Sequence, residues 1–210
     1  MERKAFSTEQ ESFWAGAFGT EYINRNKGAA LLAANLNFFG KALKHAGNIE
    51  SCIEFGANIG INLQALQLLF PGMRQQAIEI NSDAARELAT RLGEANVFNG
   101  SIFEWKPGIA VDLALIKGVL IHINPDRLTD VYRALHEATR RWILVCEYYN
   151  PSPVTIEYRG HNDRLFKRDF AGEILDAYPD LRLVDYGFAY RRDPAFPQDD
   201  ITWFLMEKHN

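Results

Sequence analysis

From Ile49 to the end of the chain, short apolar runs of strand length alternate with helical stretches. This is the pattern of βα units, whose strands are covered by helices on both faces and so keep no polar face of their own. An all-helical bundle and an all-β sandwich are both excluded, and an α/β chain on a largely parallel sheet is predicted. The expected strands are seven: residues 51–55, 74–80, 95–99, 113–117, 142–148, 182–189 and 201–208. Helices between them should begin near Asn58, Ser82 and Asp126. A later one near Lys167 carries Phe170, Ile174 and Leu175 on one side. The last two strands are joined by residues 190–200, which have no helical pattern, so they should pair antiparallel. Ahead of Ile49 the chain reads as helical: Ser7-Thr8 can cap a helix whose Phe13, Trp14, Phe18 and Tyr22 share a face, and a second helix should run from about Gly28 to His45. A length of 210 residues suits one domain, so the expected division is an N-terminal helical lid, 1–48, on a single α/β domain, 49–210.

Composition narrows the class of partner. Twenty-three Lys and Arg against 27 Asp and Glu give a net charge of −4, which argues against nucleic acid as the main partner. The first residues lack the apolar core of a signal peptide, and no apolar run approaches the ~20 residues of a membrane span, so a cytoplasmic protein with no membrane partner is expected. Cys52 and Cys146 sit inside apolar strand runs with no His or second Cys at ligand spacing. Buried thiols are expected, with no disulfide and no structural zinc. His45, His122, His136, His161 and His209 are scattered, and no metal is expected.

The first strand leads into a glycine-containing turn, Glu54-Phe55-Gly56-Ala57-Asn58-Ile59-Gly60, followed by the helix-like Ile61-Asn62-Leu63-Gln64-Ala65-Leu66. Glycines at this point let backbone approach a nucleotide-like ligand held at the strand ends. Glu79 ends the second strand 19 residues after Gly60, where a carboxylate can accept hydrogen bonds from both ribose hydroxyls. An acid ahead of the turn and Asn58 at its middle suit a cation better than a pyrophosphate. S-adenosylmethionine, with a sulfonium, an ammonium and no phosphate, fits that charge pattern.

The same residues resemble motif I of class I S-adenosylmethionine-dependent methyltransferases, and Glu79-Ile80-Asn81 resembles their ribose-binding motif. Asn99-Gly100-Ser101-Ile102 lies where that family has its adenine-side turn, and residues 112–123 lie where it has strand four and the turn beyond. Asn58 departs from the glycine many members carry, which Asn's tolerance of positive φ accommodates. A narrower resemblance covers nearly the whole chain. Residues 13–26, 117–125, 147–151, 158–161 and 196–204 are similar to the group of pseudaminic acid biosynthesis-associated methylases. The resemblance implies a seven-stranded sheet of order 3-2-1-4-5-7-6 with strand seven antiparallel. It also implies a cofactor site of Glu54, Gly56, Asn58, Gly60, Asn62, Glu79, Ile80, Ser101, Ile102, Lys117 and Gly118, to which the lid adds Trp14 and Tyr22. The acceptor it implies is a small polar or anionic molecule, such as a nonulosonic acid or its precursor.

Methyl transfer needs a nucleophile aligned with the methyl group and, where required, relieved of its proton. His122, in the turn after strand four, can be that base or a wall residue, and Lys117 can meet an acceptor carboxylate or simply end its strand. Tyr148, Tyr149 and Asn150 close strand five with groups able to orient a substrate. Arg159 and His161 lie in a glycine-containing loop, and Arg164, Lys167 and Arg168 at helical spacing would share a face suited to a carboxylate or phosphate. Two other readings stay open. One is cleavage of a different sulfonium bond, by aminocarboxypropyl transfer or by cyclisation releasing methylthioadenosine; the other is a non-catalytic binding subunit.

Overall fold

The computed structural model describes residues 6–23, 27–158 and 161–209, and only the backbone of 157, 158 and 161–164. In chain order it holds α1 (Glu9–Ala15), α2 (Ala17–Ile23), α3 (Ala29–Ala42), β1 (Ser51–Phe55), α4 (Ile61–Leu69), β2 (Arg74–Glu79), α5 (Ser82–Leu92), β3 (Val97–Asn99) and β4 (Val111–Lys117). There follow α6 (Leu128–Ala138), β5 (Thr139–Glu147), β6 (Val154–Tyr158), β7 (His161–Lys167), α7 (Phe170–Ala177), β8 (Leu181–Ala189) and β9 (Ile201–Lys208). Seven strands form one sheet of order β3-β2-β1-β4-β5-β9-β8. The first five run parallel, and β9 is antiparallel to both its neighbours. Counted along the sheet strands alone, this is the expected 3-2-1-4-5-7-6.

The central strands are buried on both faces, as their unbroken apolar runs require. Because side chains alternate, Cys52, Leu113, Leu115, Leu144 and Cys146 pack with α3 and α4 on one face. Ile53, Phe55, Ala114, Ile116, Ile143 and Val145 pack with α6 and α7 on the other. Both cysteines are free and fully buried, and burial pushes both thiols well above their ordinary range. Among the described residues no helix is long and apolar enough to cross a membrane.

The N-terminal segment divides by packing. Phe38, Phe39, Ala42 and Leu43 sink α3 into the core. The two short helices ahead of it break at Gly16 and lie over the strand ends instead. Thr8 and Glu11 cap α1 reciprocally: Glu11 N–H donates to Thr8 Oγ1, and Thr8 N–H donates to Glu11 Oε2.

One expectation is overturned. The helical face drawn for Arg164, Lys167 and Arg168 does not form, because residues 161–167 are a strand paired antiparallel with β6 in a two-stranded hairpin. Val154, Thr155, Ile156 and Phe166 are β-branched or aromatic residues of the kind that favour cross-strand pairing. The helix begins only at Phe170, because Asp169 caps it through Gly172 N–H at 2.9 Å.

Candidate functional site

The carboxyl ends of β1, β2 and β4 open into a cavity of about 460 Å³, roofed by α1 and α2. Its floor is the turn after β1, where Gly56, Asn58 and Gly60 all take positive φ, at 73°, 50° and 79°. A Cβ on Gly56 would lie 2.6 Å from Val119 Cγ2, so only glycine brings β1 and the post-β4 turn together there. A Cβ on Gly60 would meet Leu88 and Arg91 of α5, so this glycine serves helix packing and does not line the cavity.

Glu79 is buried at the end of β2. Its Oε2 accepts from Asn58 N–H at 2.6 Å and its Oε1 from Asn81 N–H at 2.7 Å, so one carboxylate fixes the Gly-rich turn to the start of α5. Burial nonetheless raises its pKa above the ordinary carboxylate range. A carboxylate has about four acceptor sites, so capacity remains beyond the backbone N–H groups of Asn58, Asn81 and Ile80, and the side chain lines the cavity. Ile80, Ser101, Ile102 and Gly100 continue the wall on this side.

Glu54 lies below the cavity wall. It is fully buried, its Oε1 accepts from Asn62 Nδ2 at 2.6 Å, and its Oε2 has no partner. Desolvation pushes its pKa up to about 8, against the opposing pull of Asn62, Lys117 and Arg91. Asn62 passes the contact on: its Oδ1 accepts from Asn35 Nδ2 at 2.9 Å, and Asn35 Oδ1 accepts from Gln198 Nε2 at 3.0 Å. Four side chains from β1, α4, α3 and the β8–β9 loop thus form one hydrogen-bonded chain, and Asn62, Asn35 and Gln198 line the cavity. Lys117 Nζ stands 5.6 Å from the centre of the Phe38 ring at the same end.

Beyond β4 a tight 3-10 turn, Leu120–His122, carries His122 into the cavity. Its ring centre lies 4.6 Å from that of Trp14, which in turn contacts Tyr22 edge-on at 5.3 Å. What holds this turn is Glu147 at the end of β5. The Val119 and Leu120 N–H groups both donate to its Oε1 at 2.8 Å, while Oε2 is buried without a partner. Burial pushes the Glu147 carboxyl up to about 7.

Of the expected cofactor residues, Gly56, Asn58, Asn62, Glu79, Ile80, Ser101, Ile102, Lys117, Gly118, Trp14 and Tyr22 line this cavity, and Glu54 and Gly60 stand behind it. Of the expected acceptor residues, His122 lines it. Tyr149 does not: it is 43% exposed with its ring toward Phe204, and Tyr148 faces the cavity in its place. Arg159 lies outside the described residues, as does the side chain of His161. Asn81 stands in the expected ribose-binding motif, whereas Asn35, Glu147, Arg191 and Gln198 were not anticipated. Asn35 interrupts the apolar run 29–36, and that misplaced amide is a readable signal. Glu147 and Gln198 act through contacts across 28 and 163 positions, and Arg191 through Asp200 nine positions on, in a loop without a helical or strand pattern. Among the described residues no group of three or more His, Cys, Asp or Glu could hold a metal ion.

No protein-family model matches the sequence, and no curated protein matches it. Solved structures do match in fold. The 1,6-didemethyltoxoflavin-N1-methyltransferase of Burkholderia thailandensis, with bound 1,6-didemethyltoxoflavin and S-adenosylhomocysteine, superposes with a TM-score of 0.71 at 19% identity, over 100% of this chain and 93% of that one. Magnesium protoporphyrin IX methyltransferase from Synechocystis, with bound S-adenosylmethionine, gives 0.68 at 10% identity over 98% and 100%. A mitomycin 7-O-methyltransferase gives 0.66 at 19% identity over 98% of this chain and 62% of that one. At such identities the likeness speaks to architecture: the chain has the Rossmann-like fold of class I S-adenosylmethionine-dependent methyltransferases.

Proposed function

We propose that the protein is an S-adenosylmethionine-dependent methyltransferase acting on a small polar or anionic molecule. The observation that carries this reading is the pairing of Glu79 with the Gly56–Gly60 turn at the strand ends. A carboxylate with free lone pairs suits a ribose diol, and the close approach at Gly56 leaves backbone open to a ligand. The described cations lining the cavity are Lys117 and Arg191, and neither comes from the turn or from the start of α4. A pyrophosphate would lack a counter-charge there, whereas a sulfonium would not need one.

When bound, S-adenosylmethionine supplies an electrophilic methyl group on sulfur. The protein's part is then alignment and proton removal. Glu79 and the wall from Ile80 to Ile102 hold the nucleoside end. The Glu54-Asn62-Asn35-Gln198 chain orients amides at the opposite end, and α1 and α2 exclude water. His122, fixed by the Glu147-bound turn and packed on Trp14, is the group positioned to take a proton from an acceptor hydroxyl or amine. His122→Asn is therefore expected to lower kcat by roughly tenfold to a thousandfold while leaving cofactor affinity intact, as read from steady-state rates and calorimetry. A nonulosonic acid of the pseudaminic type, or its precursor, is the acceptor the sequence resemblance favours, and it is the first to try.

Incubation with S-adenosylmethionine and candidate acceptors, followed by mass analysis of the by-product, tests the reading. Adenosylhomocysteine with a product 14 mass units heavier, about one CH₂, is expected, and a chelator should leave turnover unchanged. Methylthioadenosine would mean that another sulfonium bond breaks. Turnover that is lost with chelator and restored by Mg²⁺ would mean a metal site beyond the residues described.

A further inference from the structure

The loop between β8 and β9, residues 190–200, forms the cavity wall that stands away from the nucleoside end; it is tied to α3 at one point and braced internally at two. Gln198, 7% exposed, donates to Asn35 of α3 at 3.0 Å. Asp193 accepts from the N–H groups of Ala195 and Phe196 at 2.9 and 2.8 Å. Asp200, at φ 48°, accepts from the Arg191 N–H at 2.9 Å through Oδ1 and faces Arg191 Nε at 3.3 Å through Oδ2. A non-glycine residue in that left-handed conformation is uncommon, and here it aims a carboxylate at both the backbone and the side chain of Arg191.

The consequence is a guanidinium held from one side. Asp200 engages Nε, so the two terminal nitrogens of Arg191, whose side chain is 65% exposed at the cavity's open rim, stay without a protein partner among the described residues. A planar pair of N–H groups presented in this way matches a carboxylate. Lys117 supplies a second cation in the same cavity, with no ion pair among the described residues. Asp199 also lines the cavity, so a dianion such as a phosphate monoester would meet repulsion beside Arg191 that a single carboxylate can avoid. The nucleoside end is served by β2 and the post-β3 turn, on the other side of the turn after β1.

We infer that the β8–β9 loop is the acceptor-recognition element and that Arg191, buttressed by Asp200, binds a carboxylate of the methyl acceptor. This rests on the methyltransferase reading and specifies its substrate class as a small monocarboxylic acid.

The test uses the whole chain and a panel of small carboxylic acids, sugar acids among them, each beside its uncharged methyl amide. Calorimetry is run with and without adenosylhomocysteine, on the wild type, Arg191→Gln and Arg191→Lys. At least one acid is expected to bind about tenfold to a hundredfold more tightly than its amide. Arg191→Gln should erase that preference and Arg191→Lys should keep part of it, with adenosylhomocysteine affinity unchanged in both. A loop that was merely loosened would weaken acid and amide alike and leave their ratio standing. The inference is overturned if no acid is preferred over its amide, if the preference survives Arg191→Gln, or if Arg191→Gln weakens adenosylhomocysteine tenfold, which would give the guanidinium to the cofactor. Failure of adenosylhomocysteine to bind the wild type would instead remove the cofactor reading, and the acid comparison without it would still be scored.

Discussion

Glu147→Ala is expected to lower the unfolding free energy by about 2–4 kcal/mol, because it strips two buried backbone N–H groups of their acceptor. Those groups, on Val119 and Leu120, have Glu147 Oε1 at 2.8 Å, and Glu147 itself is 2% exposed, so water does not readily take its place. The turn that loses its anchor carries His122, so the rate should fall along with stability. Glu147→Gln keeps an oxygen at the same point and should retain most of both. The pH dependence separates the two forms. Burial pushes Glu147 up to about 7 from an ordinary value of 4.5. A carboxyl raised on folding contributes stability that is present below about 4.5 and is lost as pH climbs through about 7. Glu54, pushed up to about 8, acts in the same sense. Urea midpoints of the wild type should therefore drift downward between about pH 5 and pH 8, and Glu147→Gln should flatten that drift without abolishing it. An equal slope in the two proteins would mean that Glu147 does not titrate there.

The second large effect falls on the cofactor. Glu79→Ala should weaken adenosylhomocysteine by about 2–3 kcal/mol, roughly 30-fold to 150-fold, as hydrogen bonds to a charged acceptor are lost. The carboxylate also receives Asn58 and Asn81 N–H groups, so its removal loosens the floor of the site as well as the contact to the ligand. Glu79→Gln distinguishes the two roles. An amide oxygen can still receive one backbone N–H, but the amide nitrogen cannot accept from a hydroxyl. Folding should then suffer less than in Glu79→Ala, since only one of the two backbone N–H groups loses its acceptor, while affinity stays low. Affinity restored by the glutamine would reduce Glu79 to a scaffold residue.

The sheet's largely parallel character and its antiparallel last pair were readable from local facts, because mostly apolar strands alternating with helices must be covered on both faces and a helix-free loop joins the last two; the strand order came only with the resemblance. The β6–β7 hairpin was not. Arg164, Lys167 and Arg168 have helical spacing, and only the pairing of Thr155 with Phe166 and Ile156 with Leu165 overrides it. In the site, positions fixed by the turn itself, such as Gly56, Asn58 and Glu79, declare themselves through spacing. Glu147 and Arg191 do not, because their roles come from strands and loops that meet only after folding. Glu54 shows the limit of a motif. Its position marks the turn, but its side chain ends up under Asn62, so the cavity meets it through an amide chain.

The cofactor site is tested most directly by titrating the wild-type protein with adenosylhomocysteine and, separately, with NAD. The cavity between Glu79 and the Gly56–Gly60 turn predicts one bound adenosylhomocysteine per chain and much weaker or undetectable NAD. No heat with adenosylhomocysteine, or tighter binding of NAD, would contradict it.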